Sequence, residues 1–130
     1  MYVTPHFKAQ EFQCPDNGIP PEDLFDNLER LCLQLEVLRE ELGKPITVIS
    51  GYRSPEFNAR INGARNSQHM QATASDIKVK GVTPRKVHST ILKLIKEGRI
   101  EEGGLGLYET FVHYDVRGKR ARWYGRGVKP

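Results

Sequence analysis

At 130 residues with 38% hydrophobic content, the chain carries enough apolar material for one compact core and too little length for two ordinary domains. Its 20 Lys and Arg against 16 Asp and Glu leave a charge of +4, which assists attraction to an anionic polymer, and no low-complexity run or internal repeat points to disorder or a repeat array. No segment reaches the length of a membrane span, and the start Met1-Tyr2-Val3-Thr4-Pro5-His6 lacks the basic and apolar stretches of a secretory signal, so one soluble domain over residues 1–130, made in the cytoplasm without a signal, is expected.

The first strong pattern runs from Pro21 to Leu42, where Leu24, Leu28, Leu31, Leu35, Leu38 and Leu42 recur at steps of three and four. This spacing predicts an amphipathic core helix, opened by Pro20-Pro21 and stopped by Gly43 and Lys44-Pro45. Cys32 falls inside that apolar pattern, where a buried thiol is the expectation and a bridge to Cys14 the alternative. The β-branched run Ile46 to Ser50 predicts a buried strand, and Ser54 with Pro55 predicts a short helix ending at Asn62-Gly63. A polar loop from Ala64 to Gln71 leads into an alternating strand, Ala74 to Val79. Thr83-Pro84 opens another helix, with Val87, Ile91, Leu94 and Ile95 on one face, ending near Gly98.

After a Gly103-Gly104 turn, Leu105–Tyr108 and Phe111–Val116 read as two strands joined tightly through Glu109-Thr110, and a last short strand lies around Ala121-Arg122-Trp123. The fold class is therefore α+β, with helices packed against a small, mostly antiparallel sheet. Arg117, Lys119, Arg120, Arg122, Arg126 and Lys129 read as a solvated basic tail or a binding patch. Only Trp123 and Tyr124 interrupt that run, which argues against nucleic-acid binding.

The chemistry centres on Ser67-Gln68-His69-Met70-Gln71-Ala72-Thr73-Ala74-Ser75-Asp76, where a histidine precedes an aspartate on a predicted strand. Both residue types ligate zinc, and a hydrolytic zinc site takes three protein ligands and keeps a fourth position open. The third candidate is His113 in Phe111-Val112-His113-Tyr114-Asp115-Val116; strand alternation turns His113 and Asp115 to one side and Val112, Tyr114 and Val116 to the other. An isolated strand histidine is more often a hydrogen-bonded structural residue, so the spacing by itself leaves both readings open.

The stretch Ser67 to Asp76 resembles the S-x-H-x-x-G-x-A-x-D signature of the zinc D-alanyl-D-alanine carboxypeptidases and their relatives, among them phage endolysins, D,D-dipeptidases and the zinc-containing hedgehog fold. The likeness extends from Phe7-Lys8-Ala9-Gln10-Glu11-Phe12-Gln13-Cys14 through Ser50-Gly51-Tyr52-Arg53-Ser54 to Val112-His113-Tyr114-Asp115-Val116-Arg117-Gly118, and resembles most the short subfamily found in phages and prophages. It implies a hedgehog/D,D-peptidase-like fold, zinc (Zn2+) held by His69, Asp76 and His113, and Arg53 as the cation that receives a substrate carboxylate. Ala72 stands where the signature usually has glycine, an exchange suited to a backbone away from positive φ.

Many relatives carry their proton-transferring residue three positions before the last histidine ligand, and Thr110 at that position cannot serve. Asp115 and Glu109 are the replacements, Asp115 having two further readings, as a support for the His113 ring or a partner of Arg117. Ser67 and Gln68 are candidates for substrate contact or for holding the loop. The implied activity is zinc-dependent hydrolysis of peptide bonds in peptidoglycan stem peptides by a carboxypeptidase or endopeptidase acting on the cell wall, in phage lysis or as part of a virion; a monomer is expected because no large apolar surface is legible in the sequence. The alternative is a non-catalytic zinc-stabilised module that binds peptide or cell wall.

Overall fold

A computed structural model describes residues 1–16 and 18–130. The chain begins with an antiparallel pair, β1 (Tyr2–Thr4) and β2 (Phe7–Lys8), followed by a 3-10 turn over Ala9–Phe12. Strands this short carry no readable period, and the sequence pattern does not reveal them. Their anchor is Glu36, whose carboxylate accepts hydrogen bonds from the Thr4 hydroxyl and the His6 amide, both at 2.7 Å. Burial pushes the Glu36 carboxyl up, but these bonds and the His6 ring outweigh it and hold it below the usual carboxylate range.

The leucine periodicity becomes helix α1 (Phe25–Leu42), entered through a 3-10 turn at Glu22–Leu24. Leu28, Leu31, Leu35 and Leu38 are buried, while Leu24 and Leu42 sit half-buried at its ends. Gly43 closes the helix in the left-handed conformation (φ 65°), returning its amide to the Arg39 carbonyl. Cys14 and Cys32 are both buried free thiols, and burial pushes the Cys32 thiol up.

Strand β3 (Thr47–Ser50) leads to the short helix α2 (Pro55–Arg60), whose Ser54 cap accepts from the Phe57 amide at 3.1 Å. The loop expected over Ala64–Gln71 contains a 3-10 turn at Gln68–Gln71, which leads into β4 (Ala74–Lys78). Helix α3 (Pro84–Lys96) is capped by Thr83 and buries Val87, Thr90, Ile91 and Leu94. Strands β5 (Gly104–Leu107), β6 (Val112–Asp115) and β7 (Ala121–Tyr124) complete a five-stranded sheet ordered β3-β4-β6-β5-β7. Every pairing is antiparallel except β5 with β7. The α+β class and the mostly antiparallel sheet expected from the sequence are both present.

The sheet has two unlike faces because side chains alternate along each strand. Ile77, Leu105, Leu107, Val112 and Tyr114 point to the side on which α3 packs, share one core with the buried leucines of α1, and are all nearly inaccessible to solvent. Asp76, His113 and Asp115 point to the other side.

Candidate metal centre

Strand register aligns the centre. Asp76 lies opposite His113 across β4 and β6, His113 opposite Gly106 across β6 and β5, and Gly106 opposite Trp123 across β5 and β7. One row therefore reads Asp76, His113, Gly106, Trp123 across four strands. His69 reaches it from the turn before β4, where the Ser67 hydroxyl accepts from the His69 amide at 3.2 Å. That turn closes at Ala72 with φ 58° and ψ 28°. The condition under which a methyl group would be free of strain here, a backbone away from positive φ, is thus not met. A left-handed alanine costs roughly 1–2 kcal/mol, and full burial of its methyl group recovers roughly 0.8 kcal/mol.

His69, Asp76 and His113 are all buried, and each offers one ligand atom within 4.8 Å of the other two. Asp76 Oδ1 stands 3.0 Å from His113 Nδ1 and 3.4 Å from His69 Nε2. The remaining nitrogen of each ring is committed. His69 Nδ1 donates to the Gly51 carbonyl at 2.7 Å, and His113 Nε2 donates to Asp115 Oδ2 at 2.7 Å when Nδ1 faces the centre. Gly51 can place its carbonyl there because its backbone passes so close to Phe12 that any Cβ would strike it. Two imidazoles and a carboxylate, with each outer ring nitrogen tied to an acceptor, form a donor set that fits a zinc ion with an open coordination position.

The electrostatics favour a cation at this place. Burial works against charge on Asp76, but hydrogen bonds from His113 and His69 outweigh it and hold the carboxyl well below its usual range. Asp115 is likewise opposed by burial and held low by His113 and Arg117. Burial pushes His113 down, yet its contacts with Asp115 and Asp76 win and raise it.

Asp115, expected from the sequence as a candidate for proton transfer, has no solvent exposure and lies behind the His113 ring. It accepts from the amides of Gly104 and Arg117 at 2.9 and 3.1 Å and from two guanidinium nitrogens of Arg117 at 2.9 and 2.8 Å. Glu109 is exposed on the β5–β6 turn and lines a separate hollow of ≈ 480 Å³ with Lys78, Pro84 and Phe111, not the cleft beside the histidines. Arg117 and Arg122, read as part of a basic tail, are both tied down: Arg117 to Asp115, and Arg122 to Glu102 at 2.6 Å.

The cleft itself measures ≈ 530 Å³ and brings Arg53, Ser67 and Gln68 together with His69, Asp76 and His113. Arg53 Nη2 stands 3.7 Å from Asp76 Oδ2, and its buried Nε has no hydrogen-bond partner among the described residues. Ser67 and Gln68 also hold the loop: besides the Ser67 contact to His69, Gln68 Oε1 accepts from the Thr73 hydroxyl at 2.9 Å. An aromatic wall of Tyr108, Phe111 and Trp123 lines the same cleft. Sequence reasoning passed over Tyr108 and Phe111, although their position on either side of the Glu109-Thr110 turn was the available signal.

Residues 5–115 match the peptidase M15 family. Over 124 residues the chain is 32% identical to the peptidoglycan L,D-endopeptidase MepK of Escherichia coli (strain K12), covering 90% of this chain and 59% of that protein. A probable peptidoglycan L,D-endopeptidase MepK of Haemophilus influenzae is 38% identical over 87 residues, covering 62% of this chain and 43% of its own length. The zinc D-Ala-D-Ala carboxypeptidase of Streptomyces albus G is 44% identical over 45 residues, covering 34% of this chain and 18% of that protein. The chain spans about three fifths of the length of the Escherichia coli relative.

Proposed function

The chain belongs to the peptidase M15 family, and from that premise we propose that residues 1–130 form a single zinc peptidase domain hydrolysing peptide bonds in peptidoglycan stem peptides. The observation that carries this reading is the convergence of His69, Asp76 and His113, each imidazole with its outer nitrogen already bonded. In this reading those three residues hold the metal. Zinc so held supplies Lewis acidity and makes hydroxide available near neutral pH.

Arg53 receives a substrate carboxylate, a role supported by its place in the cleft and its unpartnered Nε. Asp115 holds the His113 ring in one orientation and tautomer; its burial and its five hydrogen bonds, from His113, Gly104 and Arg117, favour this role over proton transfer. Ser67 and Gln68 shape the loop that carries His69 and border the substrate. The names of the relatives, an L,D-endopeptidase and a D-Ala-D-Ala carboxypeptidase, define the bond classes to test. The likeness to the short phage and prophage subfamily leads us to place the protein in wall lysis or on a virion, and the lack of a large apolar surface legible in the sequence leads us to propose a monomer.

A second reading, a zinc-stabilised module that binds wall peptide without cleaving it, is favoured by one observation: the cleft contains no carboxylate besides Asp76 among the described residues. Mass spectrometry of muropeptides incubated with zinc-loaded protein, against a chelator-treated control, separates the two. Chelator-sensitive loss of a terminal D-alanine is the carboxypeptidase result, and internal cleavage the endopeptidase result. Intact muropeptides despite one bound zinc per chain give the binding module.

A further inference from the structure

With Glu109 outside the cleft and Asp115 behind His113, the remaining hydrogen-bond donors beside the histidines carry the interest. One of them is built into place. Trp123 stands across from Gly106, where a Cβ would collide with the indole nitrogen, so the indole lies over bare backbone with its ring centre 4.9 Å from that of His113. From there its Nε1–H donates to the Tyr108 hydroxyl at 2.8 Å.

Tyr108 is held on its other sides as well. Its ring stacks on Phe111 at 4.4 Å with an interplanar angle of 9°, and Gly125 leaves the space that the ring edge fills. A phenol that accepts a hydrogen bond still has its own proton to give. No protein acceptor among the described residues takes it, and Tyr108 lines the same cleft as His69, Asp76 and His113.

We infer that Tyr108 is a catalytic residue whose hydroxyl donates a hydrogen bond to the oxygen of the scissile carbonyl, and that Trp123 is the positioning residue that aims it. The inference rests on the hydrolase reading above. As water adds to the carbonyl carbon, the C–O bond forms and the carbonyl electron pair moves onto oxygen, where the fixed phenol meets the growing charge. Tyr108 keeps its proton throughout. When the C–N bond breaks, the amine leaves with a proton from the water and the acyl group keeps the water oxygen. A donor fixed before the reaction needs no reorganisation as charge develops, which is why one such donor has a large effect on rate.

The test is Tyr108→Phe, which removes one oxygen and keeps the stacked ring. In the zinc-loaded protein we expect kcat on a stem peptide to fall roughly 100-fold with little change in KM. Affinity for a phosphinate peptide, which mimics the tetrahedral geometry, should fall by a comparable factor while affinity for an uncleavable ground-state peptide stays level. Trp123 is the only tryptophan, so its emission in the metal-free protein reports the indole–phenol bond and should shift in the variant.

If Tyr108→Phe retains wild-type kcat and phosphinate affinity within twofold, or leaves the emission unchanged, the inference is overturned while the hydrolase reading stands. Wild-type protein that binds zinc but neither cleaves the peptide nor binds the phosphinate overturns the hydrolase reading and this one with it. Should Tyr108→Phe fail to fold, Trp123→Phe decides: a roughly tenfold selective loss of phosphinate affinity supports the inference, and equal retention of both affinities overturns it.

Discussion

The two faces of the β4–β6 pair are buried alike and built on opposite principles. On the helix side, Ile77, Val112 and Tyr114 are sealed in one core with the buried residues of α1 and α3, and burial of apolar surface is itself stabilising. On the cleft side, Asp76, His113 and Asp115 occupy the same strands at the same depth, but removing their charges from water is unfavourable unless each is paired. The imidazole between two carboxylates, with Arg117 and Arg53 beyond them, provides that pairing. One face holds the fold together whatever surrounds it; the other depends on the proton or metal it receives.

The largest expected effect breaks the comparison outright. Ile91→Ala, on the helix side, should lower unfolding free energy by about 2–5 kcal/mol in zinc-loaded and chelated protein alike. His113→Ala should instead abolish stoichiometric zinc binding and erase the stability difference between the two preparations, read from paired denaturant titrations.

A smaller effect sharpens it. Asp115→Asn leaves the ligand set intact but weakens the acceptor behind His113, so zinc affinity measured by chelator competition should fall about 10–100-fold. Loss of activity with wild-type zinc affinity would instead return Asp115 to a direct part in proton transfer.

The smallest effect is in pH. Asp76 and Asp115 are held low in the folded protein, so their stabilisation is complete above the unfolded carboxylate pKa of roughly 4 and is lost as pH falls through the folded values. His113 is raised, so its share is complete below the unfolded imidazole pKa of roughly 6.5 and is lost as pH rises through the folded value. Thermal midpoints of the chelated protein should therefore decline at both ends. With zinc replacing the proton, the alkaline decline should disappear.

Much of this is legible in the amino-acid sequence. Helix α1 and the strands β4 and β6 carry strong periods, and one-sidedness of His113 with Asp115 followed from alternation alone. His69, Asp76 and His113 stood out as a set because the stretch Ser67 to Asp76 resembled a known signature; the spacing by itself favoured a structural histidine. What stayed hidden depends on register and on distant partners. The β1–β2 pair is held by Glu36, about 30 residues away, and Tyr108 meets Trp123 only because β7 runs parallel to β5. Local pattern identifies a strand without naming its neighbour. Which hollow the Glu109 side chain faces is hidden for a similar reason: a tight turn brings a residue near the site in sequence without fixing the direction of its side chain.

Strand β5 carries a consequence for how the protein tolerates change. Its cleft-side positions are Gly104 and Gly106, and a Cβ at the first would strike the Asp115 carboxylate and Arg117, while one at the second would strike the Trp123 indole. Mutagenesis that shortens side chains has nothing to remove at these two positions, so only the core-side Leu105 and Leu107 would register in it. Mutagenesis that adds atoms meets the charged pair at one step and the aromatic wall at the next. The strand shapes the cleft by what it withholds, and only insertion of a methyl group reveals it.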